Sequence, residues 1–282
     1  MWLPVFSLGD DLDMNKKKKT NLKKMLIFLL GSFMLLFCIS AFQVVRIFSN
    51  LQEEEKEFAA LSAWKSEAYT PENPADHTAA AGISGDGEGR MLEAYEALYQ
   101  KNPDLAGWLR IDTTKVNYPV MFTPEDPEYY LHRSFDKENS VSGVPFIGEG
   151  SFADSTNIMI YGHNMKNGTM FATLLKYAQK EFWREHPVIQ FDNLYEENMY
   201  EIIGAFYSKA YLQEESGVFK YYQYPDLSTP ELFDEYYAQV KKASLYDTGI
   251  KAEFGEQLLT LSTCSYHVKD GRFVVVARKM RN

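Results

Sequence analysis

The sequence contains few cysteines, and this scarcity limits the kinds of protein it can encode. Only Cys38 and Cys264 carry thiols among 282 residues. Two thiols exclude a disulfide-rich scaffold and a zinc site that depends on several thiolates. Basic residues are also in the minority, with 29 Lys and Arg against 39 Asp and Glu and a net charge of −10. A nucleic-acid-binding protein usually presents a basic surface, so we expect no nucleic-acid partner.

Long uncharged runs are absent from the sequence except for one near its start. Residues 25–45 form 21 positions without a charge, which is long enough to cross a hydrocarbon core of about 30 Å. Six lysines precede this run, and only Arg46 follows it closely. The positive-inside rule therefore predicts a cytoplasmic N-terminus and an extracellular remainder. Because the run is longer than the apolar region of a cleaved signal peptide, we expect an uncleaved single-pass anchor in the cell membrane.

The rest of the sequence divides into a stalk, a linker and a folded domain. Residues 51–68 are rich in helix formers and predict a short stalk helix. Residues 69–89 contain Pro, Ala and Gly with few apolar side chains, which is typical of a linker. The expected segments are a basic cytoplasmic N-terminus (1–24), a transmembrane signal anchor (25–45), an extracellular stalk and linker (46–90) and a folded domain (91–282).

Short β-type segments dominate the folded domain. They are β-branched or aromatic, and Pro, Gly, Asp or Asn mostly separate them. Many such strands with few long helices favour a closed or nearly closed barrel, so the expected fold is mainly β with added helices. The expected strands are residues 107–111, 116–121, 144–147, 157–161, 188–191, 200–208, 257–264 and 272–279.

Three helical passages accompany these strands. Residues 91–102 predict a helix at the start of the domain, and residues 169–184 predict a second. A third, residues 229–244, lies between the late strands. It opens with Thr229 as a capping residue and Pro230 at the first helical position.

Cys264 ends the apolar segment QLLTLSTC, and the polar loop SYHVKDG follows it. A thiol at the end of a strand can be both positioned and accessible. Its chemistry requires the thiolate, which a neighbouring cation favours. Taken alone, however, a single cysteine is more often a small buried apolar residue.

His163 and Arg272 are the other residues that could take part in thiol chemistry. His163 follows the strand NIMIY at a turn, and Arg272 begins the apolar segment RFVVVAR. A guanidinium near a thiolate can hold a carbonyl or the oxyanion that forms on attack. His267 is the alternative histidine, since it lies three residues after Cys264. Each of these side chains, taken alone, is more often an ordinary loop or strand-end group.

Taken together, three motifs in the order His, Cys, Arg resemble those of the sortases, the membrane-anchored cysteine transpeptidases of Gram-positive bacteria. The motifs are YGHN at residues 161–164, TLSTC at 260–264 and RFVVVA at 272–277. The resemblance covers residue 91 to the C-terminus together with the N-terminal anchor. The helices at 91–102 and 229–244 and the passage DPEYYLHRSF resemble class B sortases rather than class A.

This resemblance implies a sortase-type closed β-barrel with an N-terminal helix and a late inter-strand helix. It implies no cofactor, and since the sequence has no H-x-H or H-E-x-x-H spacing, we expect no metal site. The implied catalytic residues are Cys264 as nucleophile, His163 as acid and base, and Arg272 as stabiliser of the oxyanion or substrate. The implied substrate-binding residues are Tyr161, Ser262, Thr263 and Leu131.

The implied activity is transpeptidation at the outer face of the membrane. The enzyme would cleave a C-terminal sorting signal of secreted surface proteins after a threonine, through a thioester acyl-enzyme. It would then join the protein to an amine of a lipid-linked peptidoglycan precursor. Two alternatives stay open at this point: an extracellular cysteine hydrolase with the same three residues, and an anchored binding module in which Cys264 is buried.

Overall fold

The computed structural model of the chain describes residues 8–68 and 90–281. They fall into two compact units, with the division between Glu53 and Glu54. The first unit contains most of helix α1 (Leu8–Ala68), and the second contains its end and everything after it. The expected linker at residues 69–89 lies outside the described residues, as do residues 1–7.

Helix α1 includes the run that the sequence predicts as a membrane anchor. Its stretch Asn21–Ser66 contains a segment that is apolar and long enough to cross a membrane, as judged by length and composition. Large apolar side chains of this segment, such as Phe28, Phe33 and Leu36, are exposed. An exposed, all-round apolar helix is what a lipid-facing segment requires.

The second unit is a closed barrel of eight strands, which confirms the expected fold class. Around the barrel the strands follow the order β1-β2-β3-β4-β7-β8-β6-β5, and β5 pairs with β1 to close it. The strands are β1 (Leu105–Arg110), β2 (Asn117–Met121), β3 (Phe146–Ile147), β4 (Asn157–Tyr161), β5 (Val188–Asn193), β6 (Met199–Lys209), β7 (Leu258–Cys264) and β8 (Gly271–Lys279).

Strand β8 is buried on both of its faces. Phe273, Val275 and Ala277 point into the barrel core, whereas Val274 and Val276 belong to a second apolar cluster outside it. This alternation follows from the two-residue period of a strand. A strand that is buried on both faces has a continuous apolar run in its sequence, as RFVVVAR does.

Helix α4 (Pro230–Ala243) covers the outer face of β6 and β8. Phe233, Tyr236 and Val240 form its buried stripe. The predicted cap is confirmed, because the Thr229 hydroxyl accepts a hydrogen bond from the Leu232 amide at 3.3 Å. The other helices are α2 (Glu93–Lys101) and α3 (Lys180–Glu185), with short 3₁₀ helices at Tyr129–His132, Phe171–Ala178 and Tyr221–Gln223.

The passage 169–184 is not the single helix that its composition predicts. It consists of the 3₁₀ helix Phe171–Ala178 followed by α3. Gln179 separates the two, with extended backbone angles of φ −102° and ψ 125°. The expectation of one continuous helix was wrong because helix propensity does not predict a break at a single residue in extended conformation.

The end of α1 packs against the barrel within the second unit. Phe58 and Leu61 are buried in the same apolar cluster as the barrel interior. The ring of Phe58 meets that of Tyr118 edge-on, with centroids 5.1 Å apart. Residues 54–68, expected from the sequence as the end of a stalk, therefore form part of the barrel's support.

Candidate active site

The candidate site forms where β4 and β7 end side by side. These strands run parallel, with Tyr161 directly opposite Ser262. The Gly162 amide continues the pairing and donates to the Ser262 carbonyl at 3.2 Å. His163 and Cys264 each lie two residues beyond this matched pair. The parallel register therefore brings both residues to the same edge of the sheet.

Arg272 reaches the same edge from β8. It is the direct cross-strand partner of Cys264 in the antiparallel β7–β8 pair. Directly opposed residues place their side chains on the same face of a sheet. Guanidinium Nη1 donates to the carbonyls of Gly271 at 3.1 Å and Asp270 at 3.4 Å. These bonds hold the charged group beside its own strand, and Cys264, opposite it in the pair, is half-buried.

His163 is half-buried, and its ring is held from one side. Nε2 lies 2.9 Å from the carbonyl oxygen of Leu131. A carbonyl oxygen can only accept a hydrogen bond, so Nε2 must carry a proton and donate it. In the neutral ring Nδ1 is then the unprotonated nitrogen. The imidazole of His132 stacks on the ring, with centroids 5.5 Å apart.

The electrostatic surroundings of His163 favour its neutral form. Burial lowers the pKa of His163 below its ordinary value of 6.5, and the charge of His132 lowers it further. The hydrogen bond to the Leu131 carbonyl acts in the opposite direction and raises that pKa. Desolvation is the largest of these effects, so the net pKa of His163 is lowered.

Asn164 is a residue of the site to which the sequence analysis gave no role. Its side-chain Nδ2 donates to the backbone carbonyl of Cys264 at 3.0 Å. The Phe171 amide donates to the carbonyl of His163 at 2.8 Å. The first bond joins the loop that carries the histidine to the strand that carries the thiol, and the second closes the loop on itself. The only sequence signal was that Asn164 closes the YGHN motif.

Two of the four expected substrate-binding residues lie partly exposed beside the site. Tyr161 ends β4, and Leu131 belongs to the 3₁₀ helix whose carbonyl binds His163. Burial raises the pKa of Tyr161, so its phenol is neutral at physiological pH. Both side chains are therefore partly accessible beside His163.

The other two, Ser262 and Thr263, lie beneath the site. They are 1% and 2% exposed. The Ser262 hydroxyl pairs with the Tyr221 hydroxyl at 2.7 Å, and the Thr263 hydroxyl donates to the Gly162 carbonyl at 2.7 Å. Both hydroxyls are thus engaged within the protein, and their placement favours a supporting role over direct contact with substrate.

Tyr221 is a second residue that the sequence analysis missed. It is buried, and burial raises its pKa to about 12. The bond from Tyr221 to Ser262 connects β7 with the 3₁₀ helix Tyr221–Gln223 two residues before Cys264.

His267, the alternative histidine, packs away from this arrangement. Its Nδ1 lies 3.0 Å from the Ser265 hydroxyl, and its ring lies 4.6 Å from the ring of Tyr207. It belongs to the loop between β7 and β8, and it does not follow a strand that is paired in register with β7. His163 has that placement.

Comparison with known proteins gives one consistent family. A family model described as the sortase domain matches residues 109–280. The chain is 31% identical over 192 residues to Sortase B of Listeria monocytogenes, covering 66% of this chain and 74% of the relative. It is 27% identical over 188 residues to Sortase B of Staphylococcus aureus, with coverage of 65% and 73%. The crystal structure of sortase B from B. anthracis in complex with AAEK1 superposes with a TM-score of 0.67 and 26% identity, covering 83% of this chain and 100% of that one.

Proposed function

The chain belongs to the sortase family, whose members are cysteine transpeptidases, and on this premise we propose that it attaches secreted proteins to the cell wall. In this proposal it cleaves a C-terminal sorting signal after a threonine and transfers the protein to an amine of a lipid-linked peptidoglycan precursor. One observation carries the proposal: the registers of β4, β7 and β8 bring His163, Cys264 and Arg272 to one edge.

The first half of the reaction forms an acyl-enzyme. The Cys264 thiolate attacks the carbonyl carbon of the threonine, and negative charge develops on the carbonyl oxygen. Arg272 stabilises this oxyanion with its guanidinium. His163, as the imidazolium, donates its proton to the leaving amine while the C–N bond breaks. A thioester between the substrate and Cys264 remains.

The second half of the reaction transfers the acyl group. An amine of the wall precursor attacks the thioester carbonyl, and His163 accepts the proton that this amine loses. The C–S bond breaks, the thiolate of Cys264 returns, and the new amide joins the protein to the precursor. Dividing one difficult exchange between two easier steps is the benefit of covalent catalysis.

The hydrogen bonding of His163 supports Nδ1 as the nitrogen that exchanges the proton. Nε2 is held by the Leu131 carbonyl, so it keeps its proton throughout the cycle. The lowered pKa of His163 means that the imidazolium is the minor form at neutral pH. It also makes that imidazolium a stronger acid toward the leaving amine.

The expected substrate-binding residues divide between two roles. Tyr161 and Leu131 contact the bound sorting signal from the sides of the site. Ser262 and Thr263 are buried and do not contact the substrate. The Ser262 hydroxyl forms a hydrogen bond with the Tyr221 hydroxyl, and the Thr263 hydroxyl donates one to the Gly162 carbonyl. Both hydroxyls then hold the backbone that presents Cys264.

The location follows from the N-terminal anchor. The apolar run 25–45 spans the cell membrane once, and the lysines before it keep the N-terminus cytoplasmic. The catalytic unit is then extracellular, where secreted proteins and lipid-linked precursors are both present. Anchoring restricts encounters to this surface.

Product analysis with the full chain in lipid nanodiscs tests this function. The protein is incubated with a pool of peptides that contain a threonine in varied sequence contexts, with triglycine as the amine. We expect a peptide–triglycine amide to be the main product by mass spectrometry. If the free acid dominates at saturating triglycine, the protein is a hydrolase. If no peptide is cleaved and Cys264 resists alkylation, it is a binding module.

A further inference from the structure

One turn of α1 is linked to both segments that hold His163, to one directly and to the other through Tyr118. The first segment is the loop of residues 162–171, which carries the histidine. The second is the passage of residues 129–143, which supplies the Leu131 carbonyl to Nε2. The contacting residues of α1 are Glu54 and Phe58, which lie one helical turn apart in the second compact unit.

Phe58 reaches the first segment through Tyr118. The two rings are buried and meet edge-on, and the Tyr118 hydroxyl oxygen accepts a hydrogen bond from the Met170 amide at 3.0 Å. Burial raises the pKa of Tyr118 to about 12, so the phenol stays neutral and its geometry is constant across the physiological range.

Met170 has an unusual backbone conformation that requires stabilising contacts from neighbouring residues. Its backbone has φ 52° and ψ −131°, which a residue with a side chain rarely adopts. Such a conformation costs on the order of 1–3 kcal/mol and persists only when neighbouring groups fix it. The next residue, Phe171, donates its amide to the His163 carbonyl. The bond to Tyr118 therefore fixes the end of a loop whose other end is the histidine.

Glu54 reaches the second segment directly. Its Oε1 accepts hydrogen bonds from the Ser140 hydroxyl at 2.8 Å and from the Val141 amide at 3.0 Å. The Ser140 amide in turn donates to the carbonyl of His132, the residue after Leu131. Bonds to a carboxylate are stronger than neutral ones. A charged group of α1 thus fixes the backbone that presents the Leu131 carbonyl.

We propose that this turn of α1 positions His163 for proton transfer, with Glu54, Phe58 and Tyr118 as positioning residues. The inference rests on the proposed role of His163 as acid and base. The end of α1 thereby has a function inside the catalytic unit. It aligns the imidazole through the loop that carries His163 and through the Leu131 carbonyl, which accepts the hydrogen bond from Nε2.

The first test removes one hydroxyl. Tyr118→Phe, in the full chain in nanodiscs, keeps the ring contact with Phe58 but loses the bond to Met170. Since small misplacement of a catalytic group is costly, we expect kcat to fall about tenfold with KM within about twofold. The matched control is Tyr200→Phe, which loses a partly buried hydroxyl bond to Gln257, the residue before β7 and thus at the end opposite Cys264. Its kcat should stay within about twofold.

The second test uses Glu54. Glu54→Ala should lower kcat by a similar factor, and Glu54→Gln should recover most of it because the amide oxygen still accepts both bonds. Glu53→Ala removes the same charge from the neighbouring exposed position and should leave kcat unchanged. Histidine labelled with ¹³C at Cε1 reports the ring directly. The His163 resonance and its titration should change in Tyr118→Phe and Glu54→Ala but not in the two controls.

His163→Ala separates this inference from the proposed function. If that variant is inactive while Tyr118→Phe and Glu54→Ala keep both kcat and the His163 resonance, the positioning role is wrong and the proposed function stands. A loss of thermal stability in these two variants, without a change in kcat, would equally contradict the positioning role. If His163→Ala retains full turnover, His163 is not the acid and base and the positioning role fails with that assignment, whereas the proposed function itself fails only if no peptide–triglycine amide forms.

Discussion

Cys264 and Arg272 lie directly opposite each other in the antiparallel pair of β7 and β8. Backbone hydrogen bonds of the barrel set this relationship, so it does not depend on the conformation of the intervening loop. The backbone positions of these two residues are therefore held in register as firmly as the barrel itself. Substitution of either side chain should therefore change the chemistry of the site and leave the fold intact.

Cys264→Ala should abolish transfer of a sorting-signal peptide to triglycine. We expect turnover to fall by at least about a thousandfold, because no other group forms the thioester. Cys38→Ala is the matched control, since Cys38 lies exposed on the apolar part of α1. It should be fully active, and the melting temperature of both variants should stay near that of the original chain. Undiminished turnover by Cys264→Ala would falsify the assignment of the nucleophile.

His163→Ala should be far more damaging than His267→Ala. His163 follows the strand that is paired with β7, whereas His267 packs on Tyr207. We expect a loss of about a hundredfold or more for the first variant and less than about threefold for the second. Steady-state kinetics with one peptide and saturating triglycine provide the comparison. The reverse order would transfer the acid–base role to His267.

The stability of the catalytic unit should depend on pH through His163. Because the folded pKa of this group is lowered below 6.5, the unfolded chain binds a proton in a range where the folded chain does not. This contribution to stability is present above pH 6.5 and is lost as the pH falls through the folded pKa. His163→Gln should therefore lose less stability than the original chain between about pH 7.5 and 5 in urea titrations. Equal losses in the two proteins would contradict the lowered pKa.

Arg272→Lys should lose most activity while the fold survives. An ammonium carries the same charge, but it cannot reproduce the planar, multidentate donor set of a guanidinium. We expect kcat to fall about a hundredfold. Arg278→Lys provides the control at the other end of β8, where Arg278 pairs with Glu201 and Glu256. That variant should lower stability and leave kcat close to normal. If the two variants lose the same activity, Arg272 has no special place in the reaction.

Lys65 should contribute strongly to the stability of the second unit. It forms an ion pair at 3.1 Å with Asp192, whose side chain is fully buried. Lys65→Met leaves that carboxylate without its cation and should lower the free energy of unfolding by about 3 kcal/mol. Adding Asp192→Asn should recover part of this loss. The control is Lys115→Met, which breaks an exposed pair with Glu55 and should change stability by less than about 0.5 kcal/mol.

The sequence predicted the barrel well because its signals are local. Strand β4 was expected at 157–161 and is found there, since its short apolar run is bounded by polar residues. Strand β3 was expected over 144–147 and occupies only Phe146–Ile147. Its pairing, and hence its length, depends on β2 and β4, which no local pattern records.

Contacts between distant parts of the chain were not predictable in the same way. Asn164 bonds to the Cys264 carbonyl, and Glu54 bonds to Ser140, but no spacing in the sequence relates these partners. The first contact follows from the pairing of β4 with β7, and the second from the packing of α1 against the barrel. The burial of Ser262 and Thr263 was missed for a similar reason, because the residues that cover them lie outside β7.

The parallel pairing of β4 with β7 also bears on when the protein becomes reactive. The two strands lie about a hundred residues apart in the chain, so their alignment is a late, non-local event of folding. Until β4 pairs with β7, Cys264 lacks His163 at its edge of the sheet, and the local β7–β8 pair supplies only Arg272. A partly folded chain therefore lacks the complete set of three residues. The candidate site is complete only after the long-range pairing of β4 with β7.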